Sequence, residues 1–196
     1  ESAAMLCGLF LAEGTAHHHQ ASFAFHEREK HLATFVIEQA KRLFGATCAV
    51  DTRSNSRGVA VRINSTLACR FFRQLGKQEG KGLPWEWMGW PLNLRLAVVR
   101  GWLMGDGHLR TSASGQRALS AVSIAPAIIR QAQLTLSAAG LVASARGSAG
   151  EVVSGTEIST GRRDDLCGRP GVRSGLAASQ RPGAGDRLAD HAAARA

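Results

Sequence analysis

Gly8-Leu9-Phe10-Leu11-Ala12-Glu13-Gly14 and Gly101-Trp102-Leu103-Met104-Gly105-Asp106-Gly107 are two copies of one pattern, 93 positions apart. Each has small residues four apart (Gly8 and Ala12; Gly101 and Gly105), bulky apolar residues between them, and an acid followed by glycine at its end. Upstream, Leu6-Cys7 and Val99-Arg100 continue the match. Residues four apart share one face of a helix, so the small ones open a stripe along which two helix backbones can approach closely. Leu9, Phe10, Leu11, Trp102, Leu103 and Met104 are then expected to enter the cores on either side. Each acid falls at a helix C-terminus, where the macrodipole disfavours a carboxylate by about 0.3–1 kcal/mol. Two such ends placed together also repel each other. A hard divalent cation such as Mg2+, which prefers carboxylate and carbonyl oxygens, relieves both penalties. Two amphipathic helices with solvent-facing acids are the alternative, and duplication within one chain weighs against it.

The flanks of the motif repeat as well. Thr15 to Phe25 has the alternation of a strand or hairpin. Arg28 to Phe44 reads as an amphipathic helix with Leu32, Phe35, Val36, Ala40 and Leu43 on one face, closed by Gly45. Ala46 to Arg53 and Gly58 to Asn64 read as strands around a Ser54-Asn55-Ser56-Arg57 turn. Ser65 can cap a helix running to Leu75. The second copy begins the same series, with a hairpin over Gly107 to Ile124 about Ser114-Gly115 and a helix from Pro126 to Ala139. Gly140-Leu141-Val142 follows Gly45-Ala46-Thr47 by 95 positions, close to the spacing of the motifs. These matches predict an α+β chain duplicated from one half-domain.

From Gly147 onward the chain has no aromatic residue, and Gly, Ala, Ser, Arg and Pro prevail. Duplication calls for a last strand and a packing helix here, and residues 161–196 show no sustained period for either. Such a segment buries too little to offset its ordering entropy. The expected organisation is a first half over residues 1–90, an incomplete second half over 91–150, and a low-order tail over 151–196 that is degraded, truncated or frame-shifted.

The 196 residues carry a formal charge of +9, which favours a polyanionic partner. Lys30, Lys41, Lys77 and Lys81 are the only lysines among the 24 basic residues, the rest being arginine, which suits bidentate contact with phosphate and guanine. Cys7, Cys48, Cys69 and Cys167 show no CxxC pairing, so neither a zinc site nor a disulfide framework is expected. With no membrane-length apolar run and no secretory leader in view, a cytoplasmic protein is expected.

The two motifs, read from Leu6 to Gly14 and from Val99 to Gly107, resemble the paired motifs of the LAGLIDADG (dodecapeptide, DOD-type) homing endonucleases. Lys81-Gly82-Leu83-Pro84 resembles the Lys-x-hydrophobic-Pro element of the intein-type members. The likeness covers roughly residues 4–146. It implies two pseudo-symmetric αββαββα halves whose antiparallel sheets form a saddle for duplex DNA, in a monomer with an internal two-fold. It makes Glu13 and Asp106 the catalytic, metal-binding acids, with the carbonyls of Ala12 and Gly105 assisting. Lys81 matches the family's active-site lysine, an exposed linker lysine being the other reading. The implied reaction is phosphodiester hydrolysis with Mg2+ (or Mn2+), in a protein of intein or intron homing whose activity the incomplete second half puts in question. Leu11 and Met104 replace the first acid of the family's motif, a position that is not the principal ligand.

On such a saddle, His17, His19, Arg53, Arg57, Arg62, Arg110, Thr111, Ser112 and Arg117 are the candidate DNA contacts, mixing backbone positioning with base readout. His17-His18-His19 reads as a polar strand run rather than a zinc site, since alternate strand residues point to opposite faces. Trp85, Trp87, Trp90 and Trp102 read as packing around the connection between halves. The competing function is a DNA-binding regulator or maturase that keeps the fold without cleavage. A carboxylate-metal hydrolase with no DNA role is disfavoured by charge and by the duplicated strands.

Overall fold

The computed structural model describes residues 1–52, 57–111, 117–146 and 157–161. The first half runs α1 (Ser2–Glu13), β1 (Gly14–His17), β2 (Gln20–His26), α2 (Lys30–Phe44), β3 (Cys48–Thr52), β4 (Gly58–Ile63) and α3 (Thr66–Arg73). The second runs α4 (Leu92–Asp106), β5 (Gly107–Thr111), β6 (Arg117–Ala121), α5 (Pro126–Ala138), β7 (Val142–Arg146) and β8 (Glu157–Gly161). This is the mixed helix and antiparallel-sheet architecture that the repeat predicts. The duplication extends to the helix exits: Gly45 after α2 and Gly140 after α5 both take left-handed backbone, with φ of 60° and 77°. Ser65 accepts a hydrogen bond from the Ala68 N–H and so caps α3, as its position before an apolar run suggests.

The first sheet has the order β1-β2-β4-β3, antiparallel throughout. Its inner face carries Ala16, Ala21, Phe23, Phe25, Val59, Val61 and Ile63, all buried. Against it, Phe10 of α1 stacks on Phe72 of α3 at 4.5 Å and meets Phe23 edge-on at 5.7 Å. Each of these side chains contributes about 1.5–3 kcal/mol by leaving water. On α2, Leu32, Val36 and Ala40 are buried as expected, whereas Leu43 at the helix end is 39% exposed. The second half adds Val98, Val99, Trp102, Ile128, Ile129 and Leu136 to the same buried cluster.

In the second half β5 pairs with β6 and β7 with β8 as two separate two-stranded sheets, with β8 near β6. The last described strand falls inside the stretch, residues 151–196, expected to be a low-order tail. Backbone pairing with β7 supplies what Glu157-Ile158-Ser159-Thr160-Gly161 lacks in apolar content. The expected final helix falls in residues 162–196, outside those described. Among the described residues, no helix is long and apolar enough to cross a membrane.

The halves meet where α1 lies along α4. A methyl group added at Gly8 would sit 2.6 Å from the Trp102 backbone nitrogen and 2.9 Å from the Gly101 Cα, and would strike the Val98 carbonyl. One at Gly101 would strike the Met5 carbonyl and lie 3.1 Å from the Leu9 nitrogen. The obstacles are backbone atoms, which cannot rotate aside. Gly8→Ala and Gly101→Ala are each expected to cost about 1–3 kcal/mol of unfolding free energy. Gly89→Ala, where nothing lies within 4 Å, should stay within about 0.5 kcal/mol. Urea titration of the three variants checks this, and equal losses at all three sites would refute the backbone contact.

Candidate active site

Both motif helices end in the same way. Glu13 closes α1 and Asp106 closes α4, and in each case the next residue begins a strand with no intervening loop. Gly14 and Gly107 are extended (φ −93°, ψ 148° and φ −81°, ψ 141°), and their N–H groups donate to the carbonyls of Phe10 and Leu103. Any residue could adopt such angles. What demands glycine is space: a Cβ at Gly14 would run into the Phe10 ring, and one at Gly107 into the Leu103 carbonyl.

The small-residue stripe brings the two acid-bearing ends together. A Cβ on Gly105 would lie 2.5 Å from the Ala12 Cβ, 3.1 Å from the Glu13 Cγ and 3.5 Å from its Oε1. The Glu13 side chain thus passes over the α4 backbone one residue before Asp106. The Trp102 indole, one turn back on α4, donates to Asp106 Oδ2 at 2.8 Å and orients that carboxylate. Burial is the main force raising the pKa of Glu13, followed by the neighbouring Asp106 and Glu29 charges, with Lys81 pulling it back. Asp106 is likewise raised by burial, against the Trp102 hydrogen bond and Lys81.

Lys81, in the connection between the halves, is part-buried rather than exposed. Its ammonium donates to the carbonyls of Phe10 (3.2 Å) and Leu11 (3.0 Å) and lies 5.6 Å from the centre of the Phe10 ring. A cation there satisfies the orphan carbonyls and the negative dipole end of α1. Burial lowers its pKa, while Asp106 and Glu13 pull it back up.

These residues fit a divalent cation. Two desolvated carboxylates at one place need positive charge, and the adjoining carbonyls of Ala12 and Gly105 are oxygen donors of the right hardness. Among the described residues, no group of three or more His, Cys, Asp and Glu forms a metal site. The remaining ligands of such a cation would be water or substrate oxygen.

The other candidates are spread over the sheets. Thr15, His17, Ser22, Ala24 and Arg62 share the face of the first sheet opposite its core. Arg62 pairs with Asp51 at 3.5 Å, both half-exposed, a contact of about 0–1 kcal/mol. His17, His19 and Arg57 are exposed, and His18, between the two histidines, takes a positive φ of 51°. Thr111 is exposed at the end of β5; Arg110 and Arg117 occupy β5 and β6. Arg53 and Ser112 lie outside the described residues. Trp87 stacks on Trp90 (4.5 Å) and on Phe71 (5.8 Å) within the connection, while Trp85 is 62% exposed.

Two contributors, Lys77 and Gln131, are not singled out by the sequence, and a third, Trp102, reads there as packing alone. Trp102 sits four residues before Asp106, a helical spacing that signals contact. Lys77 joins Thr15, His17 and Lys81 around a concavity beside α1's end. Gln131, from α5, bonds the linker at Leu83 and reads in the sequence as an ordinary polar helix residue.

The raised pKa values set a signed expectation. An acid whose folded pKa exceeds its unfolded value binds more protons folded than unfolded, so stability falls as pH rises from the ordinary carboxylate range through the folded pKa. Without metal, Asp106→Asn and Glu13→Gln should therefore raise Tm at neutral pH, and the gain should vanish as the pH falls below about 4. Millimolar Mg2+ should raise the wild-type Tm at neutral pH and leave the double variant unmoved. Calorimetry across pH checks both, and an equal Mg2+ effect on the two proteins would remove the acids as ligands.

No family model matches the chain. An uncharacterized protein of Methanocaldococcus jannaschii is 28% identical over 113 residues, which cover 55% of this chain and 14% of that protein. The chain thus spans a small part of that relative's length. Among solved structures, a variant of the homing endonuclease I-DmoI, in complex with its target DNA and in the presence of Mn, is similar with a TM-score of 0.61. That likeness covers 84% of this chain and 89% of the other at 11% identity. The N-terminal LAGLIDADG domain of DUF199/WhiA is similar with a TM-score of 0.55 over 84% of this chain and 77% of its own, also at 11% identity. At such identities the likeness is one of fold. The chain has the LAGLIDADG fold, with two pseudo-symmetric halves joined along α1 and α4.

Proposed function

We propose that the chain is a site-specific, divalent-metal-dependent DNA endonuclease of the homing type, working as a monomer. The observation that carries this reading is the pair of partly buried carboxylates, Glu13 and Asp106, delivered by matched helix ends in a chain of charge +9. Two partly buried acids beside a single lysine leave negative charge in excess, and that cost makes sense as the cradle of a cation. Similarity in fold to a nuclease bound to target DNA and Mn supports the same reading.

In this mechanism Glu13, Asp106 and the carbonyls of Ala12 and Gly105 hold Mg2+ (or Mn2+). Bound there, the ion supplies Lewis-acid stabilisation of phosphate oxygens and a more acidic water. Trp102 fixes which Asp106 oxygen is free to act. Lys81 spends two of its three N–H donors on α1 carbonyls and offers the third to a phosphate oxygen, where charge grows as the phosphodiester is attacked. His17, His19, Arg57, Arg62, Arg110, Thr111 and Arg117, together with Arg53 and Ser112, provide the polar surface for duplex DNA. Contacts from arginine to phosphate position the duplex, and those reaching base edges select its sequence.

The test is cleavage of a plasmid library that includes the chain's own genomic insertion locus, with Mg2+. Wild type should cut at a single long site. Glu13→Gln and Asp106→Asn should abolish cutting, and Lys81→Met should slow it by about 10²–10³-fold. All three should keep DNA affinity within a few-fold. The observed log affinity should fall with log salt by about 0.9 per phosphate contacted. Specific binding by wild type without any cutting would instead establish the non-cleaving regulator.

A further inference from the structure

Lys81 belongs to the connection between halves, yet its ammonium must reach the end of α1. The four-carbon stem of lysine is flexible, so the backbone that carries it has to be held. On the first-half side, the Lys81 N–H donates to the Gln78 carbonyl at 3.1 Å and the Gly82 N–H to the Leu75 carbonyl at 3.0 Å. On the other side stands Gln131 of α5, 4% exposed. Its Oε1 accepts from the Leu83 N–H at 2.8 Å, and its Nε2 donates to the Leu83 carbonyl at 2.7 Å. Gly82 lies so close to α5 that a Cβ there would be 2.9 Å from the Ala127 Cβ and 3.3 Å from Gln131 Oε1.

We propose that Gln131 is a positioning residue of the active site, a second-half clamp on Leu83 that holds the Lys81 ammonium against the carbonyl end of α1. The consequence for cleavage rests on the nuclease reading above; the clamp itself does not. The residue type follows from the two bonds. A primary amide carries an acceptor and donors side by side, so it accepts from the backbone N–H and donates to the same residue's carbonyl without carrying charge. Glutamate keeps the acceptor and, while ionised, loses the donor. Methionine fills similar space and loses both. Either change leaves buried backbone groups unmet and frees the strap that carries Lys81.

The experiment uses the full chain with Gln131→Met, Gln131→Glu, Lys81→Met and the double variant Gln131→Met/Lys81→Met. Ile129→Ala, a buried change on the same helix, serves as the control for plain destabilisation. Acylation of lysine amines is followed by mass spectrometry, with exposed Lys30 and Lys41 as internal standards. Labelling of Lys81 should rise severalfold in Gln131→Met, less in Gln131→Glu, and not in Ile129→Ala. Single-turnover cutting should fall roughly tenfold in Gln131→Met with DNA affinity within a few-fold. The double variant should cut no more slowly than Lys81→Met alone, because groups acting as a unit are not additive. Unchanged Lys81 labelling in folded Gln131→Met, or multiplicative losses in the double variant, would overturn the clamp. If Gln131→Met does not fold, Gln131→Glu is judged by the same criteria. If wild type does not cut, the nuclease reading fails separately and labelling alone decides on Gln131.

Discussion

Backbone-to-backbone contact between α1 and α4 is the constraint on which the rest of the molecule depends. Gly8 and Gly101 let the helices touch main chain to main chain, and Gly105 against Ala12 carries the approach to their ends. Nothing larger than glycine fits at the crossing. The same contact fixes the relation between the halves, joins the apolar residues of both helices in one buried cluster, and forces the terminal acids into proximity. Packing and chemistry thus share one set of residues. A change that separates the helices to relieve a clash also separates the carboxylates.

Charge at the site is balanced by geometry more than by numbers. Burial works against ionisation of Glu13, Asp106 and Lys81 alike, and their mutual attraction partly restores it. Lys81 answers two needs, closing the carbonyl end of α1 and tempering the acids beside it. Trp102 is buried in the core, yet its one polar atom finds Asp106 at the surface of that core. An indole is suited to this double duty, with an apolar body and a single donor.

The helix–strand order, the caps at Ser65, Gly45 and Gly140, and the convergence of Glu13 with Asp106 were all legible in the sequence, because each leaves a periodic or repeated trace. Gly14 and Gly107 were visible as shared letters, but their reason was not: the obstacle is a neighbouring ring in one copy and a carbonyl in the other. β8 escaped notice because its stability lies in pairing with β7 rather than in its own composition. Gln131 escaped for a related reason. A polar residue on an amphipathic helix reads as solvent-facing, and only the path of the linker turns it inward. The contact of Lys81 with the carbonyls of α1 is equally invisible in the sequence, because it depends on the linker passing back across that helix. What the sequence conceals here is consistently the long-range partner, not the local preference.

The distribution of lysine gives the site a direction. All four lysines of the chain lie in its first 81 residues, so the second copy of the half-domain has no ammonium to match Lys81. Duplication gave the site two acids and two glycine joints, and among the described residues Lys81 stands beside them from one half alone. Any two-fold symmetric molecule laid across that site meets a handed surface, and its two related positions are chemically distinguishable from the first encounter.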